Sequence, residues 1–72
     1  MTTSCSDAEK STWPELLGKW GEVAVNTIRM ENHYLHVVTV ADGMIVTMEY
    51  RCDRVRVWLD KKGYVKQIPM IG

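Results

Sequence analysis

The sequence has little that would direct this protein to a nucleic acid, a membrane or a large substrate. Its nine basic and nine acidic residues cancel, so no overall charge favours nucleic acid or an anionic membrane surface. Its longest apolar runs are far too short to span a bilayer. With 72 residues it is predicted to form one small domain, which leaves little room for a substrate cavity. These absences favour a partner that is recognised locally.

Cysteine is also scarce. Cys5 and Cys52 are too few for a disulfide framework and too far apart for a CxxC metal or redox motif. They are either two free thiols or one bridge, and a bridge closing so long a loop would add about 4 kcal/mol of stability. His33 and His36 do not complete a usual zinc site with them, so neither a metal nor a cofactor is expected. Cys52 has no credible general base or pocket, so no enzyme activity is expected either.

Residues 1–12 consist of Ser, Thr and charged residues with almost no apolar content, which predicts a flexible N-terminal tail. This segment has neither the basic n-region nor the apolar h-region of a signal peptide. We therefore expect either a cytoplasmic protein or a processed vacuolar or secreted form. The packed domain is predicted to span residues 13–72 and to begin at Trp13-Pro14.

The first regular element predicted is a one-sided helix over about residues 19–32. Its apolar stripe lies at positions 20, 23, 24, 27 and 28, which is the spacing of one helical face. Residues 35–40 are β-branched and nearly continuously apolar, which predicts a strand covered on both faces. Residues 54–60 alternate as a second strand, and residues 64–68 are predicted to pair as an edge strand because Pro69 cannot lie in a central one. The predicted core residues are Trp13, Leu17, Val23, Ile28, Val38, Val40, Val55, Val57 and Leu59.

The segment between the two predicted strands is the most informative part of the chain. Eleven residues lie between Ala41 and Asp53, enough to join two parallel strands and too many for a tight hairpin. Long ordered loops in small domains are usually functional. On periodicity alone, residues 44–48 could equally form a third apolar strand, although Gly43 favours a loop.

Two arginines follow this segment at a spacing that suits them to hold it. Strand alternation places Arg54 and Arg56 on one face, about 7 Å apart, where the chain leaves the loop. Thr47 and Glu49, which flank Met48, offer two acceptors at the same spacing. The planar guanidinium group can satisfy a carboxylate and a backbone carbonyl together, so the arginines are expected to brace the loop.

The basic residues allow one other interpretation. Arg51, Arg54 and Arg56, with Tyr50 and Trp58 nearby, could form a nucleic-acid patch. A footprint that small on a chain of zero net charge would bind weakly, so we expect no nucleic-acid partner.

Four segments of the sequence occur together in one known family. They are Trp13-Pro14-Glu15-Leu16-Leu17-Gly18, Thr47-Met48-Glu49-Tyr50-Arg51, Cys52-Asp53-Arg54-Val55-Arg56-Val57 and Ile68-Pro69-Met70-Ile71-Gly72. In this order, residues 13–72 resemble the potato inhibitor I family of serine protease inhibitors, which includes the barley chymotrypsin inhibitors and leech eglin. The resemblance implies an α+β fold: a single small wedge-shaped domain with one helix packed on a small mixed sheet. It also implies an exposed reactive-site loop, about residues 42–53, between two parallel strands.

The resemblance further implies roles for individual residues. Met48-Glu49 is the bond presented to the protease, and Met48 fills its primary specificity pocket. Arg54 and Arg56 brace the loop, and the carboxylate of Gly72 lies close to them. The loop residues implied to contact the protease are Ile45, Val46, Thr47, Tyr50 and Arg51.

Cys5 and Cys52 resemble a pair that, in some plant members, ties the N-terminal tail to the trailing end of the loop. Two positions depart from the family pattern. Trp20-Gly21 stands where members commonly have a Ser that caps the helix, and His33 stands where many have Pro. Both departures concern the ends of the helix and not the loop.

The function expected from this resemblance is inhibition of serine proteases by a substrate-like loop that is cleaved slowly, in plant defence. Met is long, apolar and adaptable, so subtilisin-like and chymotrypsin-like proteases are the expected partners of a monomer. A trypsin pocket contains a carboxylate and would bind Met weakly. The alternative is a non-inhibitory protein-binding domain on the same scaffold, because fold does not fix function.

Overall fold

The computed structural model of the protein describes residues 10–72. One 3₁₀ turn, Pro14–Leu16, precedes helix α1 (Gly21–Glu31), strand β1 (His36–Val40), strand β2 (Arg54–Trp58) and strand β3 (Met70–Ile71). The three strands form one sheet in the order β1-β2-β3, in which β1 and β2 are parallel and β2 and β3 are antiparallel. This arrangement confirms the predicted α+β fold with one helix and a small mixed sheet.

Helix α1 begins at an unusual N-terminus. Its N-cap, Trp20, makes no side-chain capping bond, and the buried Gly21 takes the first helical position. A Cβ at Gly21 would lie only 2.7 Å from Cδ2 of Leu59, so glycine lets the helix approach the end of β2 closely. At the other end, the Asn32 N–H donates to the carbonyl of Ile28. The Asn32 side chain also accepts a bond from the Tyr34 N–H, which turns the chain out of the helix.

The buried face of α1 differs from the predicted stripe. Gly21, Ala24 and Ile28 are buried, whereas Val23 and Trp20 are about half exposed. Small residues at positions 21 and 24 bring the helix backbone close to the sheet, so the flanking side chains remain at the edge of the contact. The prediction that Val23 belongs to the core is therefore wrong. The same prediction for Leu17 is also wrong, because this residue, which follows the 3₁₀ turn, is 48% exposed.

Strand β1 is only partly covered on each face. Val37 and Val40, which point to opposite faces of the sheet, are buried, but Thr39 is exposed and Val38 is 41% exposed. The predictions of a strand covered on both faces and of Val38 in the core are therefore wrong. The helix packs on one side of the sheet, and Val38 faces a groove beneath the loop on the other. Leu59 is half-buried at the edge of the core. The buried apolar residues are Trp13, Leu16, Ala24, Ile28, Leu35, Val37, Val40, Val55, Val57 and Val65.

The third strand lies after Pro69 and not before it. Tyr64 and Val65 form only isolated bridges, to Trp20 and Leu59, so the predicted edge strand over residues 64–68 is wrong. Pro69 is fully buried, and its carbonyl accepts a bond from the Trp13 N–H at 2.9 Å. Because proline has no N–H to donate, pairing with β2 begins only at the next residue.

The residues just before Trp13 also contact the sheet. Thr12 bridges Met70, and the Ile71 N–H donates to the carbonyl of Ser11 at 3.0 Å. The rest of the predicted tail, residues 1–9, lies outside the described residues. Within residues 10–72, no helix is long and apolar enough to cross a membrane.

Candidate functional site

The chain between β1 and β2 is an extended loop that stands away from the core. Residues 43–51 are not part of any strand, so the alternative of a third apolar strand is wrong. Met48 and Ile45 are each 95% exposed and Tyr50 is 71% exposed, although all three are apolar or aromatic. Exposed apolar side chains in a row are uncommon on a small protein and are typical of a surface that binds another protein.

Both ends of the loop are fixed to the body of the protein. At the leading end, Asp42 pairs with Lys66 at 2.9 Å, and Gly43 takes a φ of 85° in the turn that follows. At the trailing end, the guanidinium group of Arg51 binds both oxygens of Asp53, at 3.2 and 3.0 Å. This pairing lowers the pKa of the Asp53 carboxyl. The Asp53 carbonyl in turn accepts a bond from the His36 N–H at 2.8 Å, which ties the loop to the start of β1.

Arg54 joins the loop to the end of β3. Its Nη2 donates to the carbonyl of Glu49 at 2.8 Å, and its Nε donates to an oxygen of Gly72 at the same distance. The Gly72 N–H returns a bond to the Arg54 carbonyl at 2.8 Å. The ring of Tyr50 lies beside Gly72, since a Cβ there would be 3.7 Å from the ring edge. One guanidinium group therefore holds the loop against the C-terminal strand.

Arg56 reaches the other side of the exposed Met48. Its Nη2 donates to Oγ1 of Thr47 at 3.1 Å. Because the Thr47 oxygen accepts from Arg56, the Thr47 hydroxyl can donate its proton to the Glu49 carboxylate. A hydrogen bond from Thr47 is the largest cause of the lowered pKa of the Glu49 carboxyl. The charges of Arg54 and Arg56 lower it further. A chain of polar contacts thus runs from Arg56 through Thr47 to Glu49.

The contacts of Glu49 divide between its backbone and its side chain. Arg54 donates to the backbone carbonyl of Glu49, whereas the pKa of the carboxyl is lowered first by the Thr47 hydroxyl and further by the charges of the two arginines. The Arg54 fork joins the backbone carbonyl of Glu49 to an oxygen of Gly72. Positively charged groups still surround the carboxylate.

A groove separates the loop from the exposed face of β1. It is lined by Val38 and His36 of β1, by Met44 and Val46 of the loop, and by the arginines that cross it. Val46 is the one half-buried residue between positions 41 and 51, because its side chain turns into this space. The groove leaves Val38 uncovered, and the side chains of Arg54 and Arg56 extend from β2 to the underside of the loop.

Sequence reasoning missed the residues that close the two ends of the loop. Asp42 and Asp53 form ion pairs with Lys66 and Arg51, and neither aspartate was singled out. A detectable signal exists only for the second pair, where Arg51 and Asp53 are two residues apart and therefore on the same side of an extended chain. Lys66 is distant in sequence, and only the fold brings it to Asp42.

The cysteine prediction has one end outside the described residues, since Cys5 lies among residues 1–9. Cys52 is half-buried in the turn that precedes β2. The predicted bridge between them stays a prediction. Among the described residues, no three His, Cys, Asp or Glu side chains form a group that could hold a metal ion.

An exposed loop braced between parallel strands, on one helix and a mixed sheet, is an architecture found among small protease inhibitors. The profile of the Potato inhibitor I family matches residues 4–72, and this chain belongs to that family. It is 43% identical over 63 residues to the "Inhibitor of trypsin and hageman factor" of Cucurbita maxima, a match that covers 88% of this chain and 93% of that protein. It is 44% identical, with the same coverage, to the "Glu S.griseus protease inhibitor" of Momordica charantia.

Solved structures agree with this assignment. The crystal structure of the bitter gourd trypsin inhibitor superimposes with a TM-score of 0.83 at 43% identity, covering 88% of this chain and 93% of that one. The solution structure of Cucurbita maxima trypsin inhibitor-V gives a TM-score of 0.69 at 41% identity, covering 92% and 97%. The relatives are inhibitors of proteases and not enzymes, so the chain belongs to a family of serine protease inhibitors and is not an enzyme.

Proposed function

We propose that the protein inhibits serine proteases by presenting residues 42–53 as a substrate, with Met48-Glu49 as the reactive bond. The observation that carries this proposal is the placement of Met48. Its side chain is 95% exposed, while the residues on either side of it, Thr47 and Glu49, are bonded to Arg56 and Arg54. The tip of the loop is therefore offered to a partner while its flanks are held.

Rigidity makes such a loop bind tightly. Fixing one backbone residue costs roughly 1 to 2 kcal/mol, so ordering about six loop residues on binding would cost on the order of 6 to 12 kcal/mol. Nanomolar affinity corresponds to only about −12 kcal/mol, so a floppy loop would lose much of its affinity. The bonds from Arg54 and Arg56, together with the ion pairs at the two ends, order the loop before the protease arrives.

The same bonds explain slow release after attack. When the protease serine attacks the Met48 carbonyl, the acyl side keeps its tie to β2 through Thr47 and Arg56. The leaving side keeps its tie through the Glu49 carbonyl and Arg54. The new amine of Glu49 stays beside the acyl-enzyme at high effective concentration, which favours re-formation of the bond over hydrolysis.

The long apolar side chain of Met48 favours proteases with deep apolar specificity pockets, namely subtilisin-like and chymotrypsin-like enzymes. Two relatives of nearly equal identity to this chain are named for different targets, trypsin with Hageman factor in one name and the "Glu S.griseus protease" in the other. The target therefore does not follow from the scaffold, and we assign it from the residue at the loop tip. Trypsin would be a weak partner because the carboxylate in its pocket needs a cation.

The remaining loop residues divide by exposure. Ile45 and Tyr50 are open to solvent and are proposed to contact the protease directly. Val46 turns toward the groove, and Arg51 is engaged with Asp53, so both would support the loop more than they touch the partner. The protein is proposed to act as a monomer, because one chain provides the whole contact segment.

A panel assay with subtilisin, chymotrypsin and trypsin tests the proposal. Nanomolar inhibition of the first two, with slow cleavage confined to Met48-Glu49, is the expected result. Cleavage at that position is read by mass spectrometry after incubation with a catalytic amount of protease. Absence of inhibition of all three would instead favour a non-inhibitory binding domain on this scaffold.

A further inference from the structure

Met48 has the most exposed side chain of the four methionines in the described part of the chain. It is 95% exposed, compared with 78% for Met30, 56% for Met44 and 54% for Met70. Oxidation of methionine by peroxide follows the access of the oxidant to the thioether sulfur. Among the methionines of residues 10–72, Met48 is therefore the most accessible to a dissolved oxidant.

The support of the loop does not run through this side chain. The bonds from Arg54 and Arg56 end on the Glu49 carbonyl and the Thr47 hydroxyl, and the two ends of the loop are held by Asp42 and Asp53. A change at the end of the Met48 side chain thus leaves the backbone geometry of the loop in place. It alters only the group that would enter the protease pocket.

We propose that Met48 is a reversible oxidation site whose sulfoxide switches off inhibition, an inference that rests on the function proposed above. The oxidant is a peroxide. One oxygen atom passes from hydrogen peroxide to the thioether, so that an S–O bond forms, the O–O bond breaks, the sulfur loses two electrons and the peroxide leaves as water. The product is a polar side chain of nearly the same length as methionine.

The polar oxygen is poorly tolerated in an apolar specificity pocket. Burying a polar group without a hydrogen-bond partner costs about 1 to 3 kcal/mol in protein mutational data, which corresponds to about a five- to a hundredfold loss of affinity. The exposed loop also leaves the sulfoxide open to methionine sulfoxide reductases. In that step the sulfoxide oxygen leaves as water, and the thiols of the reductase are oxidised to a disulfide.

The test uses the full chain treated with increasing hydrogen peroxide. Peptide mapping should find Met48 sulfoxide forming ahead of the sulfoxides at Met30, Met44 and Met70. The inhibition constant for subtilisin should rise by about five- to a hundredfold in step with Met48 oxidation. Incubation with two methionine sulfoxide reductases, one for each epimer of the sulfoxide, should restore the original inhibition constant. An unchanged melting temperature would place the effect at the contact with the protease and not in the fold.

Two variants separate Met48 from the other oxidisable groups. Met48→Leu keeps an apolar side chain at the tip of the loop without sulfur. The inhibition constant of this variant should be the same before and after treatment with peroxide. Met30→Leu, which removes an exposed sulfur on α1 far along the chain from the loop, should lose inhibition on oxidation as the parent does.

Equal inhibition before and after full oxidation of Met48, or an equal loss in Met48→Leu, would overturn the proposal. So would slower oxidation of Met48 than of Met30, Met44 or Met70. These results differ from failure of the proposed function, in which the untreated protein would inhibit none of the proteases. The oxidation order measured by peptide mapping is independent of inhibition and would still test whether Met48 is the preferred oxidation site.

Discussion

Arg54 and Gly72 hold each other by two hydrogen bonds that run in opposite directions. The Arg54 Nε donates to an oxygen of Gly72, and the Gly72 N–H donates to the Arg54 carbonyl, each at 2.8 Å. The same guanidinium group also holds the Glu49 carbonyl. The end of β3 therefore orients the side chain that supports the loop, which links the C-terminal strand to the proposed reactive bond.

Deletion of Gly72 should weaken inhibition without unfolding the protein. Arg54 would lose one acceptor and its orientation, and a hydrogen bond is worth about 1 kcal/mol, or about fivefold in affinity. Gly72→Ala is the matched control, because it keeps both backbone groups and its Cβ would make ordinary contact with Tyr50. Inhibition constants for subtilisin report the effect. If the deletion and the alanine variant inhibit equally well, the link through Gly72 has no role.

Met48→Lys should reverse the order of protease preference. A cation at the tip would meet the carboxylate in the trypsin pocket and would be costly to bury in an apolar pocket. We expect trypsin to become the better target in a comparison of inhibition constants. Met30→Lys adds the same charge on α1 and should leave the order as it is. Better inhibition of trypsin than of subtilisin by the parent protein would show that Met48 does not set the preference.

The predicted bridge between Cys5 and Cys52 should make stability depend on the redox state. Its loss would cost about 4 kcal/mol and lower the melting temperature by more than about 10 °C. Titration of the native, non-reduced protein should find no thiol, and intact mass should rise by two hydrogens on reduction. In Cys52→Ser, reductant should not change the melting temperature. Two titratable thiols in the native protein would disprove the bridge.

Acid should loosen the loop through Glu49. The Thr47 hydroxyl, and then the arginine charges, lower the pKa of Glu49 in the folded protein. Its stabilising effect is therefore complete above the ordinary glutamate pKa of about 4.3 and is lost as the pH falls through the lower folded value. Amide hydrogen exchange of Thr47 and Glu49, compared with exchange in β2, should show selective acid opening. Glu49→Gln should flatten this pH dependence, and an equal acid response in that variant would exclude Glu49 as the cause.

Local patterns predicted the site better than the core. The length of the segment between Ala41 and Asp53 allowed parallel strands, the family resemblance implied them, and the register of β1 on β2 confirms them. Strand alternation placed Arg54 and Arg56 on one side, where both now reach the loop. The placement of the arginines depends only on residues close in sequence, so their spacing was sufficient to predict it.

Features that depend on distant contacts were not predictable in this way. Periodicity cannot tell that one face of β1 looks into a groove, so Val38 was assigned to the core. Gly21 has no side chain to count in an apolar stripe, yet its contact with Leu59 sets the position of α1. The pairing of β3 required knowing that Pro69 packs inside the core, and only the fold determines that.

Arg54 and Arg56 should matter through the rigidity of the loop and only slightly through contact with the protease. Both side chains end on the underside of the loop, at the Glu49 carbonyl and the Thr47 hydroxyl. Each charge-assisted bond is worth about 1.5 to 3 kcal/mol, so Arg54→Ala or Arg56→Ala should weaken inhibition by about ten- to a hundredfold. The two changes together should not simply add, because a loop that has lost one support is already mobile.

The decisive measurement for these arginines is the rate of cleavage. In either alanine variant, a catalytic amount of subtilisin should cut Met48-Glu49 faster than in the parent, as followed by timed mass spectrometry, because the released side would no longer be held in place. Arg29→Ala removes an exposed arginine in the last turn of α1 and should change neither rate nor affinity. A circular dichroism melt establishes that the variants fold. If the folded variants Arg54→Ala and Arg56→Ala inhibit as tightly as the parent and resist cleavage equally well, bracing of the loop by these two arginines is not required for inhibition.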